Sequence, residues 1–306
     1  MAAIPSPMRA ILVLGLLGIA SASCPWKLVA SEAMNASTFG LLINEGITNR
    51  PDNMGAEHII LTGHSTLLRT KLSSTASPTS ISKNLQLVTR NDQPIPLHLR
   101  MVPPLLYHHL GDPCVYGNQI LVPVENQPFQ NGSVFSYDIT TLALTNMWFT
   151  PQHHIPWLAV DDNPNNAHAI LYSSEFGNAS TPVEVIHRYR LPAVGAALEP
   201  LPDVQLQQPL QAVQGCDFDR TATERGDAIF DKLYCTQNPP RPAVVSINLT
   251  DGSVTPEVGP IEPELEGIVF ARWTASGLGR MHVQNGHPWS ASNYSTLFHF
   301  DQVCDD

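Results

Sequence analysis

Acidic residues recur beside small residues at five places in the chain, and carboxylates are groups that hold metal ions or transfer protons. The motifs are Glu45-Gly46-Ile47, Gly111-Asp112-Pro113, Ala159-Val160-Asp161, Gly215-Cys216-Asp217 and Glu266-Gly267-Ile268. If these motifs are equivalent, their acids converge in a ring, which needs a cation or raised pKa values to be stable. The pattern predicts a Ca²⁺ site, because this ion takes about six to eight oxygen ligands. Its ligands would be Glu45, Asp112, Asp161, Asp217 and Glu266; alternatively, these acids accept hydrogen bonds from turn N–H groups.

Paired histidines precede two of these motifs, as His108-His109 and His153-His154. A neutral imidazole can act as a general base on water. His109 and His154 are therefore candidate catalytic residues, and the alternative is that they are ordinary loop histidines. For His64, which follows Gly63 after the first Glu-Gly-Ile motif, we expect a structural role. The chain contains no Gly-x-Ser-x-Gly elbow, glycine-rich phosphate loop or His-Glu-x-x-His motif, which disfavours several common hydrolase and nucleotide-binding classes.

The spacing of the five motifs predicts an all-β fold with a repeated unit. The acids of successive motifs are 67, 49, 56 and 49 residues apart, by subtraction of their numbers. The 27 prolines are spread along the chain and disfavour long helices, while short β-rich runs such as Gln119–Val124 recur between turns. Units of about 40 to 50 residues are typical of four-stranded propeller blades. We expect one β-propeller domain over residues 23–306, with five blades and residues 24–44 completing the last; six blades are the alternative.

The motif segments resemble the blade openings of secreted propellers. They are His109-Leu110-Gly111-Asp112, Gln214-Gly215-Cys216-Asp217 and Glu264-Leu265-Glu266-Gly267-Ile268. The pattern is similar to the five- or six-bladed NHL and TolB-like propellers and to the calcium-dependent lactonase type. This resemblance extends over nearly the whole chain as a pattern of blades and implies a fold rather than a reaction.

The first residues have the features of a secretory signal peptide over residues 1–22. Arg9 is followed by an apolar run that is too short to span a bilayer, and Ala20-Ser21-Ala22 is a small-residue cleavage pattern. We therefore expect a secreted protein without a membrane span. The formal charge of -11 disfavours nucleic acid as a partner, because an acidic chain repels phosphate groups.

Cysteines and glycosylation sequons are consistent with an oxidising, extracellular compartment. The five cysteines allow at most two disulfides, and we favour Cys216–Cys235 with Cys24–Cys304, leaving Cys114–Cys304 as an alternative. The sequons are at Asn35, Asn131, Asn178, Asn248 and Asn293.

The sequence leaves two functions open. The first is a monomeric, glycosylated binding module for a small molecule, a glycan or an extracellular protein, with an axial metal ion. The alternative is a metal-dependent hydrolase of lactones or esters, less readily of glycosides, that uses the axial carboxylates. Glycosidases need two carboxylates, so a ring of five would contain candidate pairs by chance.

Overall fold

The computed structural model describes twelve segments of the chain. They are residues 24–35, 45–51, 57–72, 85–101, 106–126, 132–192, 196–220, 229–238, 243–261, 264–271, 281–286 and 294–303.

Strands dominate these segments, and they form five antiparallel sheets. The chain begins with β1 (Trp26–Asn35). The first sheet contains β2 (Gly46–Pro51), β3 (Glu57–Gly63), β4 (Thr66–Leu72) and β5 (Leu85–Asn91). After the short helix α1 (Leu97–Met101), the second contains β6 (Tyr107–Leu110), β7 (Cys114–Tyr116), β8 (Gln119–Asn126), β9 (Gly132–Asp138) and β10 (Leu144–Phe149). The third contains β11 (Ala159–Asp161), β12 (Ile170–Ser173), β13 (Val183–Arg190) and β14 (Glu199–Leu210). The fourth contains β15 (Val213–Phe218), β16 (Lys232–Gln237), β17 (Ala243–Asn248) and β18 (Val254–Val258). The fifth contains β19 (Glu264–Phe270), β20 (Met281–Gly286) and β21 (Tyr294–Gln302), and β1 pairs antiparallel with β21.

The five sheets are the blades of a propeller, and the predicted five-bladed fold is confirmed. The first strands of neighbouring blades contact one another in the order β2, β7, β11, β15, β19 and back to β2, so the ring closes. The N-terminal strand β1 completes the fifth blade, as the sequence predicted. This arrangement excludes the six-bladed alternative.

The hydrophobic core lies between the blades rather than at a single centre. Five clusters of buried side chains occupy the five interfaces between neighbouring blades. Middle strands are therefore covered on both faces, which explains why β8 contains the continuous apolar run Ile120-Leu121-Val122 instead of alternating polar and apolar residues. Each blade is held by its two neighbours, and the first strands are fixed around the axis.

One predicted disulfide is present, and its two cysteines lie directly opposite each other in β15 and β16. Cys216 and Cys235 are joined across these strands. Cys24 is also disulfide-bonded, and its predicted partner Cys304 lies outside the described residues. Cys114 is a free, buried thiol, so the alternative Cys114–Cys304 pairing is wrong.

Candidate active site

The first strands bring a group of acids and histidines together near the points where these strands begin. We call it the axial cluster and define it as Glu45, His64, His109, Glu264 and Glu266. Glu45 immediately precedes β2, His109 lies in β6, and Glu264 opens β19. His64 lies in the turn between β3 and β4. The side chains of Glu45 and His109 are mostly buried but keep some exposed surface, and the His64 side chain is 57% exposed.

Hydrogen bonds tie together the backbone segments that carry three members of the cluster. The N–H of Glu45 donates to the carbonyl of Thr62 at 3.1 Å, and the N–H of Leu110 donates to the carbonyl of His64 at 3.3 Å. The Thr62 hydroxyl donates to the carbonyl of Gly111 at 3.0 Å. Since these segments belong to the first and second blades, the hydrogen bonds fix Glu45, His64 and His109 relative to one another.

His109 bridges two carboxylates. Its Nε2 lies 2.9 Å from Glu45 Oε2, and its Nδ1 lies 3.1 Å from Glu125 Oε2. Burial opposes a charged imidazole, but the hydrogen bonds to Glu125 and Glu45 outweigh that effect and raise the pKa of His109 to about 10. His109 is thus an imidazolium at neutral pH that holds Glu45 in place, and in this protonation state it is not the neutral base that the sequence suggested.

Glu125 is the acid that connects the two predicted catalytic histidines. Its Oε1 accepts a hydrogen bond of 2.6 Å from the backbone N–H of Ile155 and lies 3.4 Å from His154 Nδ1. Burial alone would raise the pKa of Glu125, but the hydrogen bonds from His109 and His154 lower it to about 2. His154 therefore lies on the far side of Glu125 from His109. The sequence analysis missed Glu125, although an acid at the end of the apolar strand β8 was a signal that could have found it.

Glu264 and Glu266 lie in a different electrostatic environment. Burial, followed by the charges of Glu45 and Glu264, raises the pKa of Glu266 well above its ordinary value. Burial and the charge of Glu45 also raise the pKa of Glu264, which accepts a hydrogen bond of 2.8 Å from Gln214 Nε2. Glu266 is only 4% exposed, whereas Glu264 is partly exposed. The cluster therefore contains two carboxyl groups whose pKa values are raised, beside one that is hydrogen-bonded to His109.

Asp112 lies further along the axis than the cluster. A Cβ added at Gly46, Gly215 or Gly267 would come within 2.8 Å of a side-chain oxygen of Asp112. Its Oδ1 accepts a hydrogen bond of 2.8 Å from Ile47 N–H, while Oδ2 is buried without a partner among the described residues. Burial raises the pKa of Asp112 well above its ordinary value. The glycines of the repeated motifs thus allow one buried acid to pack against three other blades.

Asp161 and Asp217 lie near the ends of their first strands. Asp161 accepts hydrogen bonds from Asn163 N–H at 2.9 Å and Asn166 Nδ2 at 3.0 Å. Burial, partly opposed by the charge of Arg220, raises the pKa of Asp217 to about 6. The five predicted ligands are therefore spread along the axis, because the acid does not occupy the same register position in every motif.

Within the described part of the chain, one group of acids, histidines and cysteines could hold a metal ion. It comprises Glu45, His64 and His109, each of which offers one ligand atom, and these atoms lie within 4.8 Å of one another. Of the five predicted ligands, this group contains only Glu45. The five-carboxylate Ca²⁺ site stays a prediction.

No family profile and no curated protein matches this chain. Solved structures do match its fold. A GH43_1 enzyme from Xanthomonas citri complexed with xylose is 11% identical, with a TM-score of 0.53 over 89% of this chain and 90% of that one. A GH43 β-xylosidase/α-arabinofuranosidase from a compost microbial metagenome, solved with xylotriose in a calcium-free form, is 4% identical, with a TM-score of 0.53 over 92% of this chain and 96% of that one.

At these identities the likeness shows the fold alone. The neighbours are GH43 propellers, whereas the sequence suggested the NHL, TolB-like or calcium-dependent lactonase types. The expected propeller is thus confirmed, and the expected kind of neighbour was wrong. The motif segments that suggested it recur because the first strands meet around Asp112, a requirement of packing rather than a family signature.

Proposed function

We propose that this protein is a glycoside hydrolase whose reaction takes place at the axial cluster. The observation that carries the proposal is that two partly exposed carboxyl groups, close enough to interact electrostatically, lie in unlike environments. Glu45 is hydrogen-bonded to the His109 imidazolium, and Glu264 has a raised pKa. Glycoside hydrolysis requires one ionised and one protonated carboxyl group beside the scissile bond. The GH43 neighbours with bound xylose and xylotriose support sugars as the substrate class.

Each group has a defined role in the proposed reaction. Glu264 donates its proton to the leaving oxygen as the glycosidic C–O bond breaks. Glu45 removes a proton from the attacking water as the new C–O bond forms. The proton from Glu264 stays on the leaving hydroxyl, Glu45 then releases its proton to solvent, and Glu264 takes one up from solvent. His109 is a positioning residue, since its Nε2 hydrogen-bonds to Glu45 while Glu125 holds its Nδ1. Burial keeps Glu266 from reaching a substrate, so it influences the reaction only through its electrostatic interaction with Glu45 and Glu264.

The protein's location in the cell bears on its substrates. The Cys216–Cys235 disulfide supports secretion, because disulfides persist in oxidising compartments. No helix in the described segments is long and apolar enough to cross a membrane. Secretion, the signal peptide over residues 1–22 and glycosylation at the five sequons belong to the proposal. Polymeric or oligomeric glycans outside the cell would then be the substrates.

A substrate panel tests the proposal. The purified protein is assayed with xylo-oligosaccharides and with nitrophenyl β-xyloside, α-arabinofuranoside, lactone and ester substrates. We expect hydrolysis of a glycoside, and we expect Glu264→Gln and Glu45→Gln each to lower kcat by about 10² to 10⁴-fold, the usual contribution of a general acid or base. Glu199→Gln is the matched control, because Glu199 pairs with Arg190 on an outer strand.

The panel also separates this proposal from the remaining functions. Turnover of lactones or esters but not glycosides would contradict it in favour of the other hydrolase class. Saturable binding of a glycan without turnover would make the protein a binding module. Loss of activity in Glu266→Gln but not in Glu264→Gln would overturn the assignment of the acid.

A further inference from the structure

Three members of the axial cluster, Glu45, His64 and His109, have the composition of a transition-metal site. Two imidazoles and one carboxylate are the protein ligands of several zinc centres, whereas Ca²⁺ prefers an all-oxygen shell. Glu45 Oε2 and His109 Nε2 are 2.9 Å apart, and Glu45 Oε1 and His64 Nδ1 are 3.9 Å apart. Donor atoms of a tetrahedral ion with bonds of about 2.0 to 2.1 Å are separated by about 3.4 Å. The two observed distances involve the two different oxygens of the Glu45 carboxylate, and one ligand atom from each of the three residues lies within 4.8 Å of the others, so small side-chain rotations would bring the three donors to that separation.

The surroundings orient His109 as a metal ligand requires. Metal-binding imidazoles usually donate their second N–H to a carboxylate, which fixes the ring and the tautomer. Here Glu125 accepts from His109 Nδ1 at 3.1 Å, and Glu125 is itself fixed by the Ile155 N–H at 2.6 Å. Nε2 is thereby the nitrogen turned toward Glu45 and His64.

His64 is held in place by contacts with two neighbouring histidine rings. Its ring stacks on His108 with centroids 5.4 Å apart and lies 5.3 Å from the ring of His109. Both ring nitrogens of His108 are buried without a hydrogen-bond partner in the described segments. Because the turn that carries His64 is also bonded to β6 through Leu110, the three donor groups are in place before any ion binds.

We propose that Glu45, His64 and His109 bind a divalent transition-metal ion of the Zn²⁺ type, with Glu125 orienting His109. Binding replaces the proton between His109 Nε2 and Glu45 Oε2 and releases it to solvent. Three protein ligands leave a position for water. The inference does not depend on the proposed hydrolase: with the ion bound Glu45 is a ligand, and its role as a base belongs to the metal-free protein.

Equilibrium metal binding tests the site without a substrate. Protein stripped with a chelator and dialysed is titrated with Zn²⁺ by calorimetry, and with Co²⁺ by visible absorption. We expect one Zn²⁺ per chain. His64→Ala, which removes a largely exposed side chain, should weaken binding by at least about tenfold, and Glu125→Gln should weaken it by about 10 to 100-fold.

The matched control is His187→Ala. His187 pairs with Asp203 at 3.2 Å, and no third metal ligand joins that pair among the described residues. This variant should bind Zn²⁺ as the wild-type protein does. A His64→Ala isotherm that superimposes on the wild-type curve would overturn the proposal, as would wild-type protein that binds Ca²⁺ but not Zn²⁺. Hydrolysis by protein that binds no metal would support the proposed function and would overturn only the metal-site proposal.

Discussion

Asp112 makes the free energy of unfolding of this propeller decrease as pH rises, which is the opposite of the usual effect of an acidic side chain. The side chain is 1% exposed, one oxygen lacks a hydrogen-bond partner within the described residues, and burial raises its pKa well above the ordinary value. Asp112→Asn imitates the protonated acid and keeps an acceptor for the Ile47 N–H. The new amide N–H₂ occupies the position of the unpartnered oxygen, which adds a constant cost of about 1 to 3 kcal/mol. The informative quantity is therefore how the difference in unfolding free energy between the wild-type protein and Asp112→Asn changes with pH.

The sign follows from proton binding in the two states. Between the unfolded pKa near 4 and the higher folded pKa, the folded wild-type protein carries a proton on Asp112 that the unfolded chain has lost. The wild-type protein therefore loses stability relative to Asp112→Asn as pH rises through this window. One group contributes up to about 1.4 kcal/mol per pH unit. For a chain of this size that corresponds to about 2 °C in Tm for each unit.

Urea and thermal unfolding of both proteins from pH 4 to 8 measure this slope. Asp251→Asn is a control without a slope in this range, since hydrogen bonds from Ser253 hold the pKa of Asp251 below its ordinary value and its titration changes stability only at and below pH ~4. The stability difference between that variant and the wild-type protein should stay constant above about pH 5. A stability difference between wild-type and Asp112→Asn that does not change over the whole range would refute the neutral acid at the axis.

Two further predictions concern packing and covalent structure. Gly267→Ala should lower the free energy of unfolding by about 1 to 3 kcal/mol, because its Cβ would lie 2.8 Å from Asp112 Oδ1. The control Gly117→Asn, at a positive φ with open space around it, should change the free energy of unfolding little. Equal urea midpoints for the two variants would contradict this reasoning. Replacing Cys216 and Cys235 by Ala should lower the free energy of unfolding in urea by about 3 kcal/mol, since the bridge closes a loop with a sequence separation of 19. A decrease below about 1 kcal/mol would show that the disulfide contributes little to stability.

The sequence predicted the architecture well because the repeated motifs have a packing origin. Gly46, Gly215 and Gly267 are required wherever a first strand passes Asp112, so the motif spacing reports the number of blades. The closing strand β1 was also predictable, since the last motif leaves too few residues for a complete blade.

The candidate site was predicted only in part, because the position of each acid along the propeller axis decides which side chains meet. Glu45 and Glu266 precede the glycine of their motifs, whereas Asp217 follows it by two residues, and a shift of one or two residues moves a side chain to another level or direction. Motif matching could not supply that information. Glu125 lies outside the motifs on the second blade's β8, so its contact with His109 and His154 required the tertiary structure.

Hydrolysis of glycosides by wild-type protein, Glu45→Gln and Glu264→Gln, with kcat followed against pH, tests the proposed active site. We expect glycoside turnover by the wild-type protein and an alkaline limb set by a pKa above the ordinary value for a glutamate, because burial and Glu45 raise the pKa of Glu264. Both variants should lose at least about 10²-fold in kcat while Glu199→Gln keeps its activity. Glycoside turnover that both cluster variants retain would show that the reaction does not take place at the axial cluster.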